Sequence, residues 1–223
     1  MKLLFIGNSA TYVHDIPGTL RHLSSAAGYP IETAQITPGG YELAQHADVS
    51  TAHGQRVLNE IGKGYDIVFL QDNGNCVSCD QKRERCRDAS RRLAGAVKAS
   101  GARPYFYVRP PYGKEASGRD ALAQCAAFDE LFTQLAEEND ITCVYANRAF
   151  SYAIENLNYS LWGDDHAHTS LYGAYLIVCV FFATLFHVSA TALETVEGIS
   201  PDDARVLQQA ADKTVFDACI FRQ

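Results

Sequence analysis

Short apolar runs alternate with longer amphipathic stretches from one end of the chain to the other. Residues 3–6, Leu3-Leu4-Phe5-Ile6, are too few for a helix core and read as a strand buried on both faces, with Gly7 allowing a sharp exit. Residues 16–27 carry Leu20, Leu23 and Ala27 at helical spacing and stop before Gly28-Tyr29-Pro30. Residues 31–36 alternate as a second strand, and residues 43–61 have a helical pattern that sets His46 and His53 on an exposed or partly buried face. Residues 65–70 form the clearest buried strand. A charged helix over 83–100, a strand over 103–108, an amphipathic helix over 121–138 and a short strand over 142–145 follow. Helices over 147–156, 171–186 and 201–216 close the chain; Pro201 suits a first helical position, and Asp202 and Asp203 favour the positive end of the helix dipole. Strand and helix in strict alternation predict an α/β domain spanning 1–223 as one unit, with a central parallel sheet of about five strands and right-handed crossovers.

Composition narrows the class. Of 223 residues 47% are apolar and 20% charged, which excludes a disordered or fibrous chain. A net charge of −7 argues against a nucleic-acid partner, which requires a basic surface. The apolar stretch from Leu171 to Val188 is interrupted by Gly173, tyrosines and His187, and so predicts a buried helix and no membrane partner. A strand begins almost at the first residue, leaving no leader pattern, and a cytoplasmic location is expected. Seven cysteines, an odd number spread along the chain, fit reduced thiols better than a disulfide framework.

Candidate chemistry gathers where predicted strands end. Ser9 follows the first strand, where open α/β sheets place ligands, and can serve as a nucleophile or as the N-cap of the next helix. Thr37-Pro38-Gly39-Gly40 follows the second strand, and its glycines let backbone N–H groups approach a ligand. Gln71-Asp72-Asn73 follows the third and offers side-chain amides. Far downstream, Asp165 and His168 stand three residues apart before a helix, a spacing that lets the carboxylate meet one imidazole nitrogen while the other points outward as a general base. A serine hydroxyl needs such a base, together with donors for the oxyanion, before it attacks an ester. Asp164, Asp165, His166 and His168 also have the makings of a metal site, which would make the chain a metal-dependent hydrolase. Cys76, Cys79 and Cys86 form a Cys-x-x-Cys with a third thiol, to be read as free thiols, as a redox pair or as part of a zinc site lacking a fourth ligand.

The blocks Phe5-Ile6-Gly7-Asn8-Ser9-Ala10-Thr11-Tyr12, Ile36-Thr37-Pro38-Gly39-Gly40, Leu70-Gln71-Asp72-Asn73 and Asp165-His166-Ala167-His168, in that order, resemble the SGNH or GDSL-type serine hydrolases, in particular a bacterial subgroup with a Gly-Asn-Ser nucleophile block. The resemblance implies a three-layer α/β/α flavodoxin-like fold, with Ser9 as nucleophile, His168 as base and Asp165 as its orienter. It implies an oxyanion hole from Ser9, Gly40 and Asn73, with Gln71 able to share the role of Asn73, and no cofactor. Three positions depart from the usual pattern: Asn8 replaces aspartate, His166 stands where many relatives have glycine, and Thr169 where many have proline. The expected activity is hydrolysis of short acyl esters, acetyl above all, carried on a small polar alcohol such as a sugar. Tyr12, His14, Tyr41, Gln71, Tyr112 and Trp162 are the candidate substrate contacts, since aromatic faces with polar tips suit sugar rings. The alternative is a non-catalytic binding module on the same fold.

Overall fold

The computed structural model describes residues 1–217. Its five strands, β1 (Lys2–Ile6), β2 (Glu32–Ile36), β3 (Ile67–Leu70), β4 (Arg103–Val108) and β5 (Thr142–Tyr145), form one parallel sheet in the order β2-β1-β3-β4-β5, flanked by helices. The expected α/β class with five strands is what is observed. Leu3 to Ile6 and all of β3 are buried, which explains their unbroken apolar runs, whereas β2 at one edge is largely exposed or half-exposed, with Ile36 buried at its end.

Register is what positions the chemistry. β1 pairs with β2 from Lys2↔Glu32 to Ile6↔Ile36 and with β3 from Leu3↔Ile67 to Ile6↔Leu70, so three neighbouring strands end level. The ladder runs one step further through Gly7 N–H to the Ile36 carbonyl at 3.1 Å and Gln71 N–H to the Ile6 carbonyl at 2.9 Å. The loops carrying Ser9, Gly40 and Asn73 therefore leave the sheet side by side at its carboxyl edge.

Two compact units make up the described chain. The first comprises Met1–Tyr12, Ile31–Arg109 and Ala127–Cys143. It holds four of the strands, the short helices α1 (Ser9–Tyr12) and α3 (Leu43–His46), α4 (Ala52–Ile61), and α5 (Asp80–Ala99), which packs on β3 and β4. Residues 43–61 are two helices rather than the single one expected. Asp48 Oδ1 accepts hydrogen bonds from the Ser50 N–H at 3.0 Å and its hydroxyl at 2.6 Å, and Thr51 Oγ1 caps α4 by accepting from Gly54 N–H at 3.0 Å. These local bonds compete with the helical ladder and break it.

The second unit comprises Val13–Pro30, Pro110–Ala126 and residues 144–217. Here α2 (Ile16–Ala26), α8 (Ala146–Asn156) and α10 (Pro201–Phe216) pack around α9 (Leu171–Phe186), which is buried from Gly173 to Ala183. Tyr175 on α9 donates to the Glu194 carbonyl at 2.9 Å and accepts from Gln208 of α10 at 2.7 Å, so the buried phenol is satisfied. No described helix is long and apolar enough to cross a membrane. α6 (Lys114–Ser117) and α7 (Ala121–Asn139) complete the helices named here.

Candidate active site

In the first unit, hydrogen bonds join the nucleophile, glycine and amide blocks. Asn8, 2% exposed, caps α1: its Oδ1 accepts from Ala10 N–H at 3.0 Å, and its carbonyl accepts from Thr11 N–H at 2.9 Å. The residue that caps is thus Asn8, not Ser9. Ser9, half-buried, is the first residue of the helix, and its hydroxyl takes no part in the cap. Asn8 also donates through Nδ2 to the Tyr41 carbonyl at 2.8 Å, tying the nucleophile turn to the loop that bears Gly40.

Gln71 is 1% exposed and lies beneath this turn, so it is not the substrate contact or oxyanion donor that sequence suggested. Its Oε1 accepts from Asn8 N–H at 2.9 Å and from the Thr11 hydroxyl at 3.1 Å, while Nε2 donates to the Asp72 carbonyl. Gly7 is explained by the same packing. A Cβ there would stand 2.5 Å from Gln71 Oε1 and 2.9 Å from Thr11 Oγ1, and its backbone is not left-handed, so close approach rather than a special turn demands glycine. Asn73 is half-buried and donates through Nδ2 to the Gly40 carbonyl at 3.0 Å, and Gly40 has the left-handed φ of 75° that its turn needs.

His46, expected on an exposed or partly buried face, is fully buried. Its Nε2 donates to the Gly7 carbonyl at 2.9 Å, and its Nδ1 accepts from His53 Nε2 at 3.0 Å. A carbonyl only accepts, so this chain of bonds fixes both tautomers. Burial, then the neighbouring His53 charge, hold the His46 pKa at about 4, against the lesser opposing effect of the Gly7 bond. The Tyr41 ring packs on His53 with centroids 4.8 Å apart, and Tyr12 is 43% exposed.

In the second unit, Asp165 and His168 make a self-contained pair. Asp165 Oδ1 accepts from the backbone N–H groups of Ala167 and His168, both at 2.9 Å, and Oδ2 accepts from His168 Nδ1 at 2.6 Å. These bonds, the His168 N–H foremost, hold the Asp165 carboxyl well below the usual carboxylate range. An ionised Asp165 requires the proton on Nδ1, which leaves the Nε2 lone pair of the neutral ring available as a base.

The turn that makes this possible is pinned by a Trp162↔Thr169 antiparallel bridge and by Gly163 N–H donating to the His168 carbonyl at 2.9 Å. His166 sits at φ 53°, in the left-handed region, which explains why glycine is common there in the resembling family. Its imidazole turns to Glu115, 3.5 Å away, and its carbonyl accepts from Gly113 N–H at 2.7 Å.

Asp164, Asp165, His166 and His168 do not assemble as a metal site. Among the described residues, the group of three potential ligand atoms lying within 4.8 Å of one another is Asp72, Cys76 and Cys86, all buried, with Cys79 exposed and outside it. Burial raises the Asp72 pKa, and the bond to Cys76, burial and the Asp72 charge push the Cys86 thiol up.

His14 donates through Nε2 to the Thr169 carbonyl at 3.0 Å and lines a cavity of about 50 Å³ with Leu171, Tyr175 and Val178. Trp162 donates to the Pro111 carbonyl at 3.0 Å and meets Phe150 edge-on, so its polar tip serves packing rather than a substrate hydroxyl. Tyr112 is half-buried and donates through its backbone N–H to Gln124 Oε1 at 3.3 Å.

Several solved structures share this architecture. A DUF4886 family protein from Bacteroides uniformis superposes with a TM-score of 0.83 at 16% identity, covering 97% of this chain and 95% of its own. A candidate SGNH hydrolase from Slackia heliotrinireducens superposes at 0.69 with 23% identity, covering 81% and 96%. The fold is that of the SGNH hydrolases. Axe2, an acetylxylan esterase from Geobacillus stearothermophilus, superposes at a TM-score of 0.61 with 19% identity, covering 81% of this chain and 92% of its own. No family model and no curated protein matches the sequence.

Proposed function

We propose that the chain is a serine esterase that removes short acyl groups, acetyl above all, from a small polar alcohol such as a sugar, through an acyl-serine intermediate. The observation that carries this reading is the Asp165–His168 pair, whose 2.6 Å bond, backed by two backbone N–H groups on the same carboxylate, leaves Nε2 as a base. Support comes from the nucleophile turn, where Asn8 rather than Ser9 takes the cap, and from the acetylxylan esterases that share the fold.

In this mechanism Ser9, His168 and Asp165 act as one catalytic set. Ser9 Oγ gives its proton to His168 Nε2 and attacks the ester carbonyl. The resulting oxyanion accepts hydrogen bonds from the N–H groups of Ser9 and Gly40 and from the Asn73 amide. Collapse expels the alcohol, which takes the proton from His168 and leaves the acyl group on Ser9. Water, deprotonated by His168, then attacks the acyl-serine; collapse breaks the acyl–Oγ bond, releases the acid and returns the proton from His168 to Ser9 Oγ. Asp165 stays ionised throughout, holding the ring in one tautomer and stabilising the imidazolium that forms.

A fluorophosphonate probe tests the nucleophile, because only an activated serine labels quickly. Covalent label on the Ser9 peptide is expected, absent in Ser9→Ala and strongly slowed in His168→Ala. A chain-length series of p-nitrophenyl esters tests the acyl group, with acetate and butyrate expected to exceed octanoate. An unlabelled protein that turns over no ester would leave a binding module instead, and a preference for octanoate or longer would overturn the short-acyl assignment.

A further inference from the structure

The cysteine cluster, which the proposed reaction does not use, stands in the loop that follows β3. Asp72 follows that strand by two residues, Cys76 lies on the 3-10 turn Gly74–Val77, and Cys86 lies on α5. Three elements that are separate in sequence thus deliver a carboxylate and two thiols to one buried point. We infer that Asp72, Cys76 and Cys86 bind one Zn²⁺ ion, which ties the loop after β3 to α5.

Donor chemistry and orientation both support the assignment. Asp72 Oδ1 accepts from Leu43 N–H at 2.9 Å and Asn73 N–H at 2.7 Å, which holds the carboxylate in place. Hydrogen bonding of this kind is how ligating carboxylates are usually oriented. Two thiolates and a carboxylate suit zinc, whose sites draw on sulfur, nitrogen and carboxylate oxygen, and make calcium or magnesium poor occupants. A divalent cation at this point would stabilise the anionic forms of all three groups. Binding exchanges the thiol protons for the metal, leaving one residual negative charge on the ion and its three protein ligands. The Cys-x-x-Cys spacing alone would have paired Cys76 with Cys79, but Cys79 is exposed at the N-cap of α5.

The test uses the full chain, purified with a non-thiol reductant, stripped by a chelator and titrated with Zn²⁺ against a chromophoric competitor. One ion per chain is expected, with proton release on binding. Co²⁺ in its place should show a sulfur-to-metal charge-transfer band. Cys76→Ser and Cys86→Ser should weaken binding by more than the roughly 10–100-fold that loss of an outer partner costs, while Cys79→Ser keeps the stoichiometry. Should those variants fail to fold, alkylation of the wild type in mild denaturant, with and without Zn²⁺, decides: the ion should slow labelling of Cys76 and Cys86 and leave that of Cys79 unchanged, and equal rates would overturn the assignment. Absence of stoichiometric binding, a cobalt spectrum without the sulfur band, or the mass loss of a Cys76–Cys86 disulfide in the isolated protein would overturn the assignment.

Discussion

Acid should unfold this protein partly through one residue, His46. In the native state burial holds its pKa at about 4, whereas an unfolded chain restores it to about 6.5. The unfolded state therefore takes up the proton first as pH falls. The stabilisation is complete above about pH 6.5 and is lost as pH drops toward about 4. Integrating between those two pKa values gives about 2 kcal/mol lost on going from about pH 7 to about pH 4.5. Other groups titrate over the same range, so the measurement is a difference against His46→Gln. Glutamine can still donate to the Gly7 carbonyl and accept from His53, the bonds that His46 makes at 2.9 and 3.0 Å, but it does not titrate. Urea unfolding followed through the single tryptophan, Trp162, at the two pH values gives four stabilities. The wild type should lose about 2 kcal/mol more than the variant, a shift near 1 M urea at a slope of about 2 kcal/mol/M. Parallel losses, equal within about 0.5 kcal/mol, would refute a buried neutral His46.

Ser9→Ala and His168→Ala should each lower kcat by roughly 10⁴-fold or more, with the double variant little worse, because members of a catalytic unit are non-additive; steady-state kinetics on an acetyl ester checks this. His166→Gly should leave stability within about 0.5 kcal/mol, because relief of the left-handed strain is offset by added freedom in the unfolded chain. His166→Ile should cost about 1–2 kcal/mol at that φ of 53°, with thermal melts as the readout and activity largely kept in both. Gln71→Leu leaves the buried Asn8 N–H and Thr11 hydroxyl without their acceptor and should cost about 2–4 kcal/mol, measured by urea unfolding. It should also slow fluorophosphonate labelling of Ser9 in the fraction that remains folded.

What could be read from sequence was whatever depends on near neighbours. The strand at Leu3 to Ile6 and the one ending at Leu70 are apolar throughout because both faces are covered, and the sheet follows from their alternation with helices. Asp165 and His168 were legible because three residues of turn suffice to join them. Positions set by distant partners were not. His46 has the helical spacing of an exposed or partly buried residue, and its burial, satisfied by the Gly7 carbonyl 39 residues away, has no signal in near neighbours. Gln71 looks like a donor at a strand end until Asn8 and Thr11 are found on its amide oxygen. The thiol spacing drew attention to Cys79, whereas the fold selects Asp72, Cys76 and Cys86. The break at Asp48 had a local signal in Asp-x-Ser-Thr, outweighed in the sequence reading by apolar periodicity.

The bonds on the Asp165 carboxylate that orient the His168 ring come from residues 165–168 themselves. For those bonds the turn draws little on the core, which matters in an evolutionary sense. Substitutions in the core can lower the fraction of molecules that fold while leaving the quality of the base in each folded molecule unchanged. Abundance and basicity can then drift separately, so under the proposed function a lineage can sample new cores, loops and acyl preferences without rebuilding the proton acceptor each time.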